Sequence, residues 1–411
     1  MEVRYERCCG LDVHKKSISA CCIYPEEVKL KKEIRSFGTL TDDLLALSDW
    51  LAERQITHVA MESTGSYWKP VWNILEASFE LLLVNPQHIK AFNRDKTDTK
   101  DCEWLADLLR HGLLKASFVP DRRQRELREL TRYRTSLKQE RTAEVNRLQK
   151  VLEGANIKLA SVASDVMGKS SREMLAELLA GDKAPAEIAQ LARGKLREKI
   201  PQLERALSGG FAPHQRFVVA QQLAHIDFLD ESLAQISQEI EGRLVPLEAA
   251  VVARLDPIPG VATGVAQVII AEIGPSVERF PSAGHIASWA GLCPGNRESA
   301  GKRRSGKTRK GNQALRTVLT NAAKAAILVK GSYLQAQYSR LLPRLGKNKA
   351  TVAVARRILE IIYYLLNDPE TLFKERGAHY RNEMDKQRAA RYHARQLEAL
   401  GYQVAAPPIA V

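Results

Sequence analysis

With 411 residues, 45% of them hydrophobic, the chain is long enough for two or three domains with real cores and too apolar for a disordered one. Sixty-two Lys plus Arg against 48 Asp plus Glu leave a formal charge of +14, which points to a polyanionic partner, nucleic acid before membrane. No apolar run approaches the roughly 18 residues of a membrane span, and the opening MEVRYERCCGLDVHKK lacks the basic-then-apolar order of a signal peptide, so a cytoplasmic protein with no membrane partner is expected.

In chain order, CCGLDVH, SISACCIY and VKLKKEIRSF read as three strands. A helix, TDDLLALSDWLAERQ, is expected to start at a Thr41 cap; strand HVAME, helix SYWKPVWNILEAS, strand ELLLVN and a further helix follow. A hairpin meander running into β-α-β units makes a mixed sheet covered by helices, in the order of the ribonuclease-H-like nuclease core. The cysteines Cys8-Cys9, Cys21-Cys22, Cys102 and Cys293 show no C-x-x-C spacing, and neighbours on a strand point to opposite faces. Buried free thiols in a reducing compartment are expected.

After Pro120, Leu127, Leu130, Leu137, Val145, Leu148 and Leu152 recur at heptad-like steps, and Ile226, Leu229, Leu233, Ile236, Ile240, Leu244 and Leu247 keep the period more strictly. These read as two long helices, packed antiparallel or against another subunit, serving as spacer or dimerisation arm; the arginines of the first also suit a phosphate backbone. The segment 153–215 reads as helical without a clear place. From Leu255 a compact helical domain begins, in which Pro259, Gly260 and Gly264 resemble a helix-hairpin-helix turn able to aim backbone N–H groups at a phosphate, although a plain αα-turn fits equally. A charged helix follows Phe373, and VAAPPIAV is expected to fray. The expected fold class is α/β plus all-α: a mixed-sheet nuclease domain at 1–118, a coiled-coil region at 119–250, a mostly helical domain at 251–372 and a charged tail at 373–411.

Two stretches carry chemistry. In DKTDTKDCEWLADLLRHG, positions 98, 101, 105 and 108 share one helix face, so Asp98 and Asp101 continue the stripe of Leu105 and Leu108 toward the core. Asp107 is turned well away and Glu103 less so. Carboxylates aimed inward must be paired, protonated or metal-bound. Two-metal phosphodiester cleavage needs converging carboxylates around ions about 3.5–4 Å apart. Asp12, on the first strand's face with Gly10 and His14, Glu62 at the end of HVAME, and the pair Asp98 and Asp101 form a D…E…D-x-x-D set suited to Mg²⁺. Each has a plainer reading: Asp98 as helix cap, Glu62 as partner of the Ser63-Thr64 turn, Asp12 as strand end. In PGNRESAGKRRSGKTRKGNQALR, Arg297 to Arg316 includes eight Lys or Arg and one Glu. Arg297, Lys302, Arg303, Arg304, Lys307, Arg309 and Lys310 make it a phosphate-contact loop with glycines for close approach. On composition alone Ser299 and Ser305 are turn residues.

Taken together, GLDVHK, MESTGSYW, VNPQHIKAF and KTDTKDCEWLADLL, then PIPGVATGVAQVIIAEIG and ASWAGLCPGNRESAGKRRSGKTRKGN, resemble the DEDD-type insertion-sequence transposases over roughly residues 7–115 and 252–365. The resemblance implies a RuvC-like N-terminal domain, a coiled-coil region and a C-terminal serine domain. It also implies that Asp12, Glu62, Asp98 and Asp101 bind Mg²⁺ and that Ser299, just after the GLCPG turn, is the DNA nucleophile, with Ser305 as its rival. Ala300 stands where many relatives carry Gly. A phosphoserine intermediate conserves bond energy, so no ATP site is expected. Implied partners are donor and target DNA and an element-encoded structured guide RNA, the bridge RNA. Bringing Ser299 to the acids, in the same or a neighbouring subunit, would build one composite site in which Arg297, Lys302 and Arg303 hold the scissile phosphate. Exchange on two DNAs calls for a dimer or tetramer. Two other readings compete: a RuvC-like junction-resolving endonuclease, which needs the acids and no serine, and a non-catalytic nucleic-acid-binding scaffold, which would tolerate Asp12→Asn and Asp101→Asn and ignore Mg²⁺.

Overall fold

Apolar runs of alternating facing build the N-terminal sheet. The computed structural model describes residues 2–26, 29–63, 65–85, 98–295, 297–299, 302–308 and 310–400. Strands β1 (Cys8–Val13), β2 (Ile18–Glu26), β3 (Lys29–Phe37), β4 (His58–Glu62) and β5 (Glu80–Val84) form one sheet in the order β3-β2-β1-β4-β5. The first three strands are antiparallel neighbours, whereas β4 is parallel to β1 and β5 to β4. The turn after β1 is tight, closed by the His14 N–H donating to Ser17 O at 2.9 Å. The parallel pairs need crossovers, supplied by helices α1 (Thr41–Glu53) and α2 (Trp68–Leu75). Thr41 is the first residue of α1 and not its cap. Asp43 does that work, its carboxylate accepting from the Leu40 N–H at 3.2 Å.

The paired cysteines divide between the two faces, as strand geometry demands. Cys8 and Cys21 lie with Ala60 against Cys102, Leu105, Ala106 and Leu109 of helix α3 (Asp98–Arg110). Cys9 and Cys22 pack with Leu11, Leu47 and Trp50 on the opposite face. All six cysteines are free thiols. Burial pushes Cys8 and Cys21 up to about 12 and Cys102 up to about 11.

Helix α3 sits almost on the sheet because β1 offers a glycine. A Cβ at Gly10 would lie 2.3 Å from Cys102 O and 2.5 Å from Ala106 N. That approach sets the rotation of the helix and shifts the expected stripe. The sheet-facing set is Cys102, Leu105, Ala106 and Leu109, and Asp101 is exposed at its border. The side chain of Asp98 lies outside the described residues. Glu103 and Asp107 are held by Lys32 of β3, at 2.8 and 3.0 Å. So two of the four acids share one lysine of the edge strand. Gly10→Ala is therefore expected to push α3 off the sheet, at a cost of about 3 kcal/mol, read as a drop of roughly 10 °C in the melting of residues 1–121.

A second compact unit begins at Arg122. Helix α4 (Arg122–Gly154) and α9 (Pro213–Arg243) run antiparallel: Leu127 and Leu137 of α4 pack with Leu229, Ile236 and Ile240, while Leu148 and Leu152 pack with Val219, Leu223 and Ile226. Between them in sequence, α5 (Leu159–Val162), α6 (Lys169–Ala180), α7 (Pro185–Ala189), a 3₁₀ turn (Gly194–Lys199) and α8 (Ile200–Ala206) close over the far end of the pair. Their Met174, Leu175, Ile188 and Leu203 share one core with the helix ends, which gives the 153–215 segment its place. The remaining helices are α10 (Pro246–Leu255), α11 (Thr263–Ile273), α12 (Ala283–Trp289), α13 (Gln313–Ala326), α14 (Tyr333–Leu345), α15 (Lys347–Asn367) and α16 (Tyr380–Ala399). The first six surround a core that includes Ile269, Ile270, Ile286, Leu319, Leu334 and Ile358. The end of the chain, 401–411, lies outside the described residues. No helix among them is long and apolar enough to cross a membrane.

Candidate active site and nucleic-acid interface

Strand register places two of the predicted acids. Gly10 pairs with Ala60 and Leu11 with Met61 in the parallel β1–β4 ladder. Asp12 and Glu62 come next on each strand, so they stand level at neighbouring carboxyl ends, about 4.8 Å apart in backbone spacing. Gly10 and Ala60 face α3, and residues two further along share that face. Asp98 and Asp101 occupy the first turn of the same helix. Asp12 is near enough for its charge to add to the burial that raises the Cys102 thiol. Hence one end of one sheet face gathers Asp12, Glu62 and the start of α3.

His14 joins this group. Its Nε2 lies 3.0 Å from Asp12 Oδ2, and the imidazole is half exposed while Asp12 keeps 16% of its side-chain surface. In the sequence His14 is marked only by sharing a strand face with Asp12, which does not reveal the contact. The donor set fits a divalent cation of the Mg²⁺ kind by its chemistry, because carboxylates are hard oxygen ligands at strand ends and on the covering helix. Among the described residues no three His, Cys, Asp or Glu groups yet converge on a metal-binding point.

The basic stretch is not an irregular loop. Its backbone forms a hairpin of β6 (Arg297–Ser299) and β7 (Lys302–Ser305), with a bulge between Arg297 and Glu298. Ser299 ends β6 opposite Lys302, and Ser305 lies at the other end opposite Arg297. The two serines therefore stand at opposite ends of the ladder. The side chains of residues 297–299 and 302–305, and Asn296, Ala300, Gly301 and Arg309 altogether, lie outside the described residues. Lys307 and Lys310 are exposed. Below the hairpin, Pro294 bridges Thr308, and the Gly295 N–H donates to Lys307 O at 2.9 Å.

Although no ATP site is expected, residues 301–308, GKRRSGKT, satisfy the letters of the phosphate-loop pattern G-x-x-x-x-G-K-[ST]. Such a loop leads straight from a strand into a helix. Here four residues of the pattern are themselves a strand, Thr308 pairs with Pro294, and the next helix starts at Gln313.

Gly260 has a packing duty. Its φ is +82°, and a Cβ there would meet Ala322 O of α13 at 2.1 Å, so the turn needs glycine to let two helices touch. Gly264 faces the side chains of Arg134 and Lys138 instead.

The hairpin is anchored through a buried carboxylate. Asn312 caps α13 by accepting from the Leu315 N–H, and its Nδ2 donates to Glu272 Oε2 at 2.6 Å. Glu272 is 0% exposed. It also accepts from Nε and Nη2 of Arg132, at 2.7 and 2.9 Å, and Arg128 lies at 3.4 Å. Arg128 further donates to the carbonyls of Ala271 and Glu272. Gly311 fits against Trp289 O and Gly291 N, where a Cβ would come within 2.5 Å. So one carboxylate ties α4, α11 and the cap of α13 together. Glu272→Ala strands two arginines and an amide, and should cost about 3 kcal/mol, the low end for a broken buried pair because Arg132 is 49% exposed. Thermal melting of the second unit should drop by roughly 6 °C, and Glu272→Gln by less.

Two regions of the chain match known transposase families. Residues 9–157 match the DEDD-type IS110 transposases, and residues 252–339 match the transposase IS116/IS110/IS902 family. The transposase for insertion sequence element IS1111A of Coxiella burnetii is 23% identical over 380 residues, 88% of this chain and 90% of that protein. A probable family 20 transposase of Pseudomonas aeruginosa is 25% identical over 318 residues, 75% and 83% of the two chains. An IS110 insertion-element protein of Streptomyces coelicolor is 26% identical over 294 residues, 66% and 71%. With both of its family regions matched in order and relatives aligned along most of its length, the chain belongs to the IS110 family of insertion-sequence transposases.

Proposed function

We propose that the chain cleaves and exchanges DNA strands of its insertion element through a phosphoserine link, with Ser299 as nucleophile and Mg²⁺ held by Asp12, Glu62, Asp98 and Asp101. The observation that carries the metal half is the level placement of Asp12 and Glu62 at adjacent parallel strand ends beneath the first turn of α3. The sheet order β3-β2-β1-β4-β5 supports a RuvC-like, ribonuclease-H-like reading of that unit. When bound, the divalent ions would supply the charge that offsets the phosphate oxygens.

The chain's own groups do the rest. Ser299 Oγ loses its proton and bonds to phosphorus as the bond from phosphorus to the leaving strand oxygen breaks; that oxygen takes up a proton. A hydroxyl of the partner strand then attacks the phosphoserine, and Ser299 Oγ leaves with a proton regained. The number of phosphodiester bonds is conserved, so no triphosphate is consumed. Arg297, Lys302, Arg303 and Arg304 beside Ser299 in the hairpin, with Lys307, Arg309 and Lys310 next in sequence, offer charge-assisted contacts to the DNA backbone. A structured RNA encoded by the element is the proposed guide, a role that suits a chain of charge +14. Exchange between two DNAs assigns the working form more than one copy of the chain. Trapping the protein on labelled DNA in Mg²⁺, denaturing it and mapping the nucleotide-bearing peptide should place the label on Ser299. Label on Ser305, or none under conditions where DNA is cut, rules the phosphoserine scheme out as written.

A further inference from the structure

Helix α4 passes the start of α11 and the flank of α13, and the three enclose a cleft of about 520 Å³. Its lining sets polar and cationic groups, Arg134, Lys138 and Asn146 from α4, Gly264 from α11, Thr317 and Asn321 from α13, beside valines of α11 and α13. Arg134 is only 4% exposed and is fixed by donating to Gln267 Oε1 at 2.6 Å and to Gly264 O at 3.0 Å. Lys138, one turn further along α4, reaches the same glycine. A Cβ built on Gly264 would lie 3.7 Å from Arg134 Nη2 and 3.7 Å from Lys138 Nζ.

Two cations thus converge on one backbone position. Among the described residues no carboxylate pairs with either: Glu241 acts on Arg134 only through its charge, and Asp256 is taken by the Thr263 hydroxyl at 2.9 Å. Burial lowers the pKa of both groups, and the charge of Arg134 lowers that of Lys138 further. A folded protein that holds two like charges together without a counter-charge is less stable for it, and an anion in the cleft would reverse the sign. The surrounding amides and hydroxyl match the several oxygens of a phosphate, and Gly264 leaves the approach open. Thr317 lies only about 6 Å of helix rise beyond Gln313, where the basic hairpin segment ends.

We propose that this cleft seats a backbone phosphate of the nucleic acid on which the chain acts, with Lys138 and Arg134 as its counter-charges. The proposal rests on the transposase reading and extends it to residues outside both the acid set and the hairpin. The test compares full-length wild type with Lys138→Gln and Lys138→Arg by anisotropy, using a labelled DNA duplex and a labelled single-stranded RNA across about 50–200 mM NaCl. Lys138→Gln should weaken binding about tenfold and reduce the salt slope by about 0.9 on the duplex, or about 0.7 on the single strand, the amount for one lost phosphate contact. Its melting temperature without nucleic acid should stay level or rise, since a repelled charge is gone, and Lys138→Arg should restore binding. Loss confined to DNA or to RNA supports the site and names the source of the phosphate. Unchanged affinity and slope on both, with wild type binding normally, overturns the proposal, as does a lowered melting temperature that Lys138→Arg fails to recover. Wild type that binds neither nucleic acid overturns the transposase reading and this site with it.

Discussion

Ser299→Ala should leave no covalent protein–DNA adduct and lower strand exchange by about 10⁴-fold or more, because the atom proposed to form the new bond to phosphorus is missing. Ser305→Ala should leave both intact. The contrast is informative because both residues belong to the same short hairpin, one at each end of its ladder, so charge and local fold are shared. Loss of one hydroxyl should shift stability by no more than about 0.5 kcal/mol, which a melting curve checks. The measurement is a denaturing gel of labelled DNA for the adduct, beside an exchange assay on two duplexes. Undiminished cutting by Ser299→Ala would favour the junction-resolving reading, in which water and the acids suffice.

Asp12→Asn is expected to reduce Mg²⁺-dependent cleavage by at least about 10³-fold, equivalent to about 4 kcal/mol of transition-state stabilisation. The amide keeps the shape of the carboxylate and can still hydrogen-bond His14, which now sits 3.0 Å away, so the fold should survive. Only the charge proposed to hold a hard cation is removed. Glu62→Gln, at the level of Asp12 on the neighbouring strand, should fall into the same class. Adduct formation must fail along with cleavage in both variants if the acids and the serine serve one reaction. Full activity in Asp12→Asn, or activity indifferent to a chelator, would falsify the metal role and favour a binding scaffold.

The sheet was readable because strands of period two announce themselves: the cysteine doublets alternate faces, and the D…E pair falls where register puts it. The rotation of α3 was harder. Leu105 and Leu108 are both buried, so a stripe through 98 and 101 and one through 102, 106 and 109 look alike in sequence. Gly10, ninety-odd residues away, decides between them through backbone contact. The hairpin was hidden for a different reason, since strands of three and four residues made of Arg, Lys, Glu and Ser show no apolar alternation. Residues 153–215 form helices of four to twelve residues whose buried side chains make a stripe only once assembled on α4 and α9. Glu272 escaped notice because its partners Arg132 and Asn312 are 140 and 40 positions distant. Gly260 was legible as a special backbone position, but its reason, contact with α13, is tertiary.

The thiols of the N-terminal unit make it its own reporter. Cys102 is entirely covered and adjoins Asp101, so a reagent can reach it only while α3 lifts from the sheet. The rate of alkylation then times the opening of the layer that carries Asp98 and Asp101, with no substitution introduced. Cys9 and Cys22, shut away on the opposite face, record the breathing of the other layer in the same sample.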